Sequence, residues 1–178
     1  MIVLLEGPNG VGKTTVSKII QDKYPNCGYQ HFPTEGPPDG ADFRWFIRDY
    51  TKVFYSLDPD RVHIVDRLWP STVAYQEVNL YRYPVIVPYI SSCFSGSLNY
   101  YLRLDATDLR KRQQRGNKGR MDRDAKGVVV DPCYSMVQRY DHLVACDLDN
   151  WIILDAIKAP EDLADIIIEG IENARSKN

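Results

Sequence analysis

Gly7-Pro8-Asn9-Gly10-Val11-Gly12-Lys13-Thr14 follows the apolar run Ile2-Val3-Leu4-Leu5 and precedes a stretch in which Val16, Ile19, Ile20 and Tyr24 fall at helical spacing. A G-x-x-x-x-G-K-[ST] segment between a strand and a helix reads as a phosphate-binding loop. Its glycines let backbone N–H groups turn inward on phosphate oxygens, and the following helix adds the positive end of its dipole. Gly7, Pro8, Asn9, Gly10, Val11, Gly12, Lys13, Thr14 and the adjoining Thr15 are the expected triphosphate-binding set. Lys13 is expected to hold the β- and γ-phosphates. The Thr14 hydroxyl is the expected Mg²⁺ ligand, because Mg²⁺ prefers hard oxygens and is usually shared with nucleotide phosphates.

Working outward, the strand, loop and helix form the first half of a βαβ unit, and Gly28 to Phe32 reads as a second strand. The segment Pro33 to Gly40 is turn chemistry throughout, and a loop directly after such a strand is where ligands are met. From Phe43 to Leu57 the apolar positions recur at intervals of three and four, which predicts a long amphipathic helix with an aromatic face. Val62-His63-Ile64-Val65-Asp66 reads as a short apolar strand closed by a carboxylate, the acidic strand that accompanies a phosphate loop and helps organise Mg²⁺. A helix is expected from Ser71 to Leu80, with Pro84 and Pro88 punctuating the stretch beyond it. Asn99 to Leu104 predicts another strand, with helix from Asp105. Asp131 as N-cap and Pro132 at the first helical position restart a helix through Ala145. Trp151 to Leu154 is the last strand, and Pro160 opens the last helix.

Strands alternating with helices over the whole chain predict a three-layer α/β/α fold, a five-stranded parallel sheet with helices on both faces. At 178 residues one domain is expected. Between Arg110 and Lys126 a cationic run is broken by Gly116 and Gly119. Such a stretch, about residues 115–130, suits a lid that folds over phosphates and withdraws to release product.

The balance of 22 basic and 24 acidic residues gives a formal charge of −2. This offers no global field for nucleic acid or an anionic membrane surface. Cys27, Cys93, Cys133 and Cys146 form no C-x-x-C pair, so neither a zinc site nor a disulfide framework is suggested. No apolar run approaches membrane-spanning length, and a soluble, cytoplasmic protein is expected.

A phosphate loop explains only donor binding. A switch GTPase would want a base-reading Asn-Lys-x-Asp segment late in the chain, which is missing, and a motor ATPase a larger chain. The sequence offers instead Asp66-Arg67, an arginine-rich lid and an aromatic helix, parts suited to a second anionic, planar substrate. Phosphoryl transfer requires positive groups around the transferring oxygens and an in-line acceptor.

These residues carry a resemblance. Glu6 to Thr15 resembles the opening of thymidylate kinases, and Asp66-Arg67-Leu68-Trp69-Pro70-Ser71-Thr72-Val73-Ala74-Tyr75-Gln76 is similar to their D-R-[YH]-x-x-S-x-x-A-Y-Q segment. Arg115-Gly116 and Asp122-Arg123 resemble their lid pairs, and Leu154-Asp155-Ala156 with Pro160-Glu161-Asp162-Leu163 their closing elements. The resemblance implies transfer of the ATP γ-phosphate to dTMP or a related deoxynucleoside monophosphate, with Mg²⁺, by a homodimer. Arg67 would bind the acceptor monophosphate, Asp66 would help place Mg²⁺, Tyr75 would pack under the deoxyribose and Phe54 would stack on the base. Asn9, Glu35 and Thr72 complete the expected acceptor set. The loop position that carries a catalytic arginine in some members is Gly10 here, so Arg115, Arg120 and Arg123 of the lid are the candidates for stabilising the transferring group.

Three departures bear on the acceptor. Asn9 replaces an acidic residue near the acceptor sugar, the Pro33–Gly40 loop lacks an arginine, and Asp58 stands four residues after Phe54 where the family has an arginine. An acceptor at that place would favour a base presenting an amino group, such as cytosine, or a broader specificity. Two other readings stay open: a deoxynucleoside kinase, whose 5′-hydroxyl acceptor needs a general base such as Glu35, and a nucleotide-gated binding protein that performs no transfer.

Overall fold

The computed structural model describes residues 1–32, 43–76, 92–115, 122–123, 129–130, 132–145 and 151–177. The Pro33–Gly40 loop with Glu35, the end of the helix expected to reach Leu80, Arg120, Asp131 and Cys146 lie outside the described residues.

Strands β1 (Ile2–Glu6), β2 (Cys27–His31), β3 (Val62–Asp66), β4 (Leu98–Arg103) and β7 (Ile152–Asp155) form one sheet in the order β2-β3-β1-β4-β7. Every neighbouring pair is parallel, with Leu5 opposite Asp66 on one side of β1 and opposite Tyr100 on the other. This is the five-stranded parallel sheet that the alternating pattern predicts. Two residues at Asp122–Arg123 (β5) pair antiparallel with Val129–Val130 (β6) inside the stretch expected to form the lid.

Helices α1 (Lys13–Lys23), α2 (Phe43–Ser56), α3 (Trp69–Gln76), α4 (Ala106–Arg115), α5 (Pro132–Ala145) and α6 (Pro160–Arg175) cover both faces. The period of two along β1 separates the cores. Val3 and Leu5 join Val16 and Ile20 of α1 and Leu163, Ile167 and Ile171 of α6 in one buried cluster. Leu4 joins Phe46, Tyr50 and Val53 of α2, Val73 of α3 and Tyr140 and Leu143 of α5 in the other. Strands buried on both faces are near-continuous apolar runs, which is why β1 and β3 are so easily read. No helix among the described residues is long and apolar enough to cross a membrane.

The parallel topology fixes where function gathers. The phosphate loop follows the carboxyl end of β1, and Asp66-Arg67 close the carboxyl end of the adjacent β3. Ligands of open α/β sheets are met in the crevice at these ends.

Candidate active site

The loop turns tightly because its glycines take backbone angles that side chains resist. Gly7 has φ +142°, and a Cβ there would lie 2.6 Å from the Leu102 carbonyl oxygen of β4. Gly12, at φ +106°, hands the chain to α1, whose first residue is Lys13. The Lys13 ammonium is folded back into the loop and donates to the carbonyls of Gly7 at 2.7 Å and Pro8 at 3.2 Å. Burial, together with the Arg67 charge, pushes this ammonium down to about 8 against the pull of Asp66 and Glu6.

Thr14 and Asp66 meet across the junction of α1 and β3. The Thr14 hydroxyl donates to Asp66 Oδ2 at 3.4 Å, and the Tyr29 hydroxyl donates to the same oxygen at 3.0 Å. Asp66 Oδ1 is buried without a hydrogen bond, its nearest charge being Lys13 Nζ at 3.9 Å. A buried carboxylate oxygen left over beside a threonine hydroxyl, at the mouth of a phosphate loop, fits the hard-oxygen demand of Mg²⁺.

Arg67 is the non-glycine residue with positive φ, at 79°, among the described residues. This left-handed conformation is costly for a long side chain and is held by its surroundings. Its backbone N–H donates to the Leu5 carbonyl at 3.0 Å, which ties the turn to β1. The guanidinium donates to Ser71 Oγ at 3.1 Å and to Asn9 Oδ1, and lies 5.0 Å from the centre of the Tyr75 ring. Burial works against its charge, but Tyr140, Tyr75, Glu6 and Asp66 outweigh that cost and raise the guanidinium above its ordinary value.

Asn9 joins these groups. Its backbone N–H donates to the Tyr75 hydroxyl at 2.7 Å, and its carbonyl accepts from Gln113 Nε2 of α4 at 2.7 Å. Arg112, one residue earlier on α4, donates to the loop carbonyl of Val11 at 3.1 Å and to the Ala156 carbonyl after β7 at 2.7 Å. Thr72 is buried, and its hydroxyl is hydrogen-bonded to that of Tyr50.

Several residues of this constellation are missing from the functional set that the sequence suggests. Glu6 is fully buried at the end of β1, where its carboxylate accepts from the Leu68 N–H at 2.5 Å, Ser71 Oγ at 2.6 Å and the Tyr140 hydroxyl at 3.4 Å. Its signal is the one that marks Asp66, a carboxylate closing an apolar strand. Tyr140, 134 positions away in sequence, carries no local signal at all.

Two expectations need correction. Phe54 is not brought to the loop. Because β2 and β3 are parallel neighbours, α2 runs back along the sheet and its last turn reaches the amino-terminal ends of the strands. There the Phe54 ring packs edge-on against Phe94, just before β4, at 5.6 Å. Asp58 lies beyond the end of α2, in the turn into β3, where its carboxylate accepts from the Asp60 N–H at 2.9 Å. Arg115 is exposed at the end of α4, and Arg123 lies in β5.

No protein-family model matches the chain. It is 27% identical over 190 residues to a probable thymidylate kinase of Halorubrum lacusprofundi, spanning 90% of this chain and 92% of that relative. Among solved structures it is similar to the YorR protein of Bacillus subtilis in complex with phosphorylated GDP, with TM-score 0.75, 17% identity and 97% and 96% of the two chains covered. A deoxyadenosine kinase from M. mycoides with bound dATP aligns with TM-score 0.61 and 14% identity over 97% of this chain and 100% of that one. At these identities the structural likeness is one of fold alone, a parallel five-stranded sheet with helices on both faces.

Proposed function

We propose that this protein is a nucleoside monophosphate kinase that moves the γ-phosphoryl group of ATP onto dTMP or a related deoxynucleoside monophosphate. The observation that carries this reading is Arg67. A buried guanidinium, forced into a left-handed turn and held by Asn9, Ser71 and Tyr75 beside the phosphate loop, suits an incoming phosphate rather than a neutral hydroxyl. The probable thymidylate kinase relative supports the same acceptor class.

In this reading the loop N–H groups and the Lys13 ammonium bind the donor phosphates. Thr14 and Asp66 would hold Mg²⁺, which supplies charge compensation at the phosphates when bound. Arg67 draws the acceptor phosphate into line, and Tyr75 fixes its sugar. The transferring group gains its remaining positive charge from Arg115, Arg120 or Arg123 as the lid closes and excludes water. A phosphate acceptor is already ionised, so no general base is required.

An ADP-release assay across all deoxynucleosides and their monophosphates tests this. Turnover with monophosphates, and an increase in acceptor KM on Arg67→Ala, are the expected results. The likeness to a deoxyadenosine kinase keeps a second reading in view, with Glu35 as base for a 5′-hydroxyl. That reading predicts turnover of nucleosides abolished by Glu35→Gln. Turnover with neither class would leave a nucleotide-gated binding protein.

A further inference from the structure

Tyr29 belongs to β2, 37 positions before Asp66, and its hydroxyl is one of the groups that hold the Asp66 carboxylate. In the parallel register Tyr29 lies opposite Ile64, and His31 lies opposite Asp66. Residues two apart share a face of a strand, so Ile64 and Asp66 point to the same side of the sheet. The half-buried Tyr29 ring packs on that side, against the cluster that contains Ile64 and the α1 residues Val16 and Ile20. Two residues of parallel strand span about 6.6 Å, a distance that a phenol covers and a short polar side chain does not. The hydroxyl thus arrives at the carboxyl end of β3, where Thr14 also meets Asp66.

This arrangement makes the two Asp66 oxygens unlike. Oδ2 accepts from Tyr29 at 3.0 Å and from Thr14 at 3.4 Å, and of the two the Tyr29 contact has ordinary hydrogen-bond length. Oδ1 is buried and has no hydrogen bond among the described residues, with Lys13 Nζ 3.9 Å away. A carboxylate binds a cation through one oxygen or through both. Mg²⁺ demands a near-ideal octahedron and keeps several waters, so contact through one oxygen suits it. Ca²⁺ takes more ligands in looser geometry and accepts both oxygens of one carboxylate. A hydroxyl seated on Oδ2 withholds the second oxygen.

We propose that Tyr29 is a positioning residue for the cation at Thr14 and Asp66, and that it sets the preference of this centre for Mg²⁺ over Ca²⁺ by restricting Asp66 to contact through a single oxygen. The inference rests on the proposed placing of Mg²⁺ at Thr14 and Asp66 and is independent of the acceptor. Tyr29→Phe keeps the ring and its packing but removes the hydroxyl, which frees Oδ2 for a larger ion.

The test uses the full chain and an ATP analogue with an imido bridge between its β- and γ-phosphates, titrated by calorimetry in EDTA, in excess Mg²⁺ and in excess Ca²⁺. The readout is the factor by which each cation tightens binding relative to EDTA. In the wild type Mg²⁺ is expected to tighten binding at least about tenfold more than Ca²⁺ does. In Tyr29→Phe the two factors are expected to come within about threefold of each other, with the affinity in EDTA unchanged. The same Mg²⁺-to-Ca²⁺ ratio in both proteins, or equal tightening by the two cations in the wild type, overturns the proposal. A loss of affinity in EDTA also overturns it, because Tyr29 would then support the loop rather than the cation. Absence of any tightening by Mg²⁺ in the wild type removes the placing of Mg²⁺ at Thr14 and Asp66 and this inference together, which distinguishes that failure from the failure of Tyr29 alone.

Discussion

The Arg67 guanidinium donates to the side-chain oxygen of Asn9, a contact that spans 58 positions of sequence and joins the end of β3 to the phosphate loop. Asn9 is neutral where an acidic residue is expected from the resemblance, so this contact orients Arg67 without adding a further negative charge beside it. A hydrogen bond to a charged group contributes about 1.5–3 kcal/mol. Asn9→Ala is therefore expected to raise acceptor KM about tenfold, with donor KM within a factor of about two. Because Asn9 is exposed, thermal stability should hold. Steady-state kinetics with each substrate varied in turn is the check, and an unchanged acceptor KM sinks the argument.

Arg112 makes a different bridge, from α4 to the carbonyls of Val11 and Ala156. It ties the donor loop to the turn after β7, and so acts as a positioning residue for the donor. Arg112→Ala is expected to weaken ATP binding about tenfold and leave acceptor KM unmoved. Arg112→Lys should not restore it, since a single ammonium cannot span two carbonyls as the planar fork does. Equilibrium titration with a fluorescent ATP analogue reads this directly.

How much of this was legible in the sequence depended on the range over which each signal acts. Strands buried on both faces appear as short apolar runs, and a phosphate loop has fixed spacing, so the parallel sheet and the meeting of Lys13, Thr14 and Asp66 follow from local patterns. Arg67 was legible through its place after a carboxylate-closed strand. Phe54 was misread because periodicity assigns a residue to a helix face without saying which end of the helix meets the site; chain direction decides that, and α2 carries Phe54 away. Glu6 and Tyr140 come together only through the packing of α5 against α3, which no local pattern encodes.

Phe54→Ala separates a core role from a base-stacking one. The ring is partly buried against Phe94 and Tyr55 at the far end of α2. Losing it should cost about 2 kcal/mol of stability, through lost burial and a partly filled cavity. Acceptor KM should stay within a factor of about two. Chemical denaturation and kinetics on the same preparation distinguish the two, and a selective loss of acceptor affinity at unchanged stability would restore Phe54 to the site.

Glu6 should give the fold a measurable dependence on pH. Burial raises its carboxyl above the usual value of 4.5, although Ser71, the Arg67 charge, the Leu68 N–H and Lys13 all act to lower it. The Tyr140 hydroxyl faces it as well, at 3.4 Å. The folded chain thus holds this proton more tightly than the unfolded chain does. The resulting contribution to stability is full below the ordinary carboxylate value and is lost as pH rises through the elevated one. In Glu6→Gln the group cannot ionise, while the amide oxygen can still accept from the Leu68 N–H. Thermal unfolding of both proteins from about pH 4 to about pH 8 should therefore show wild type losing stability relative to the variant as pH rises. Since every other titrating group is common to the two chains, parallel curves would mean that Glu6 titrates no differently folded than unfolded.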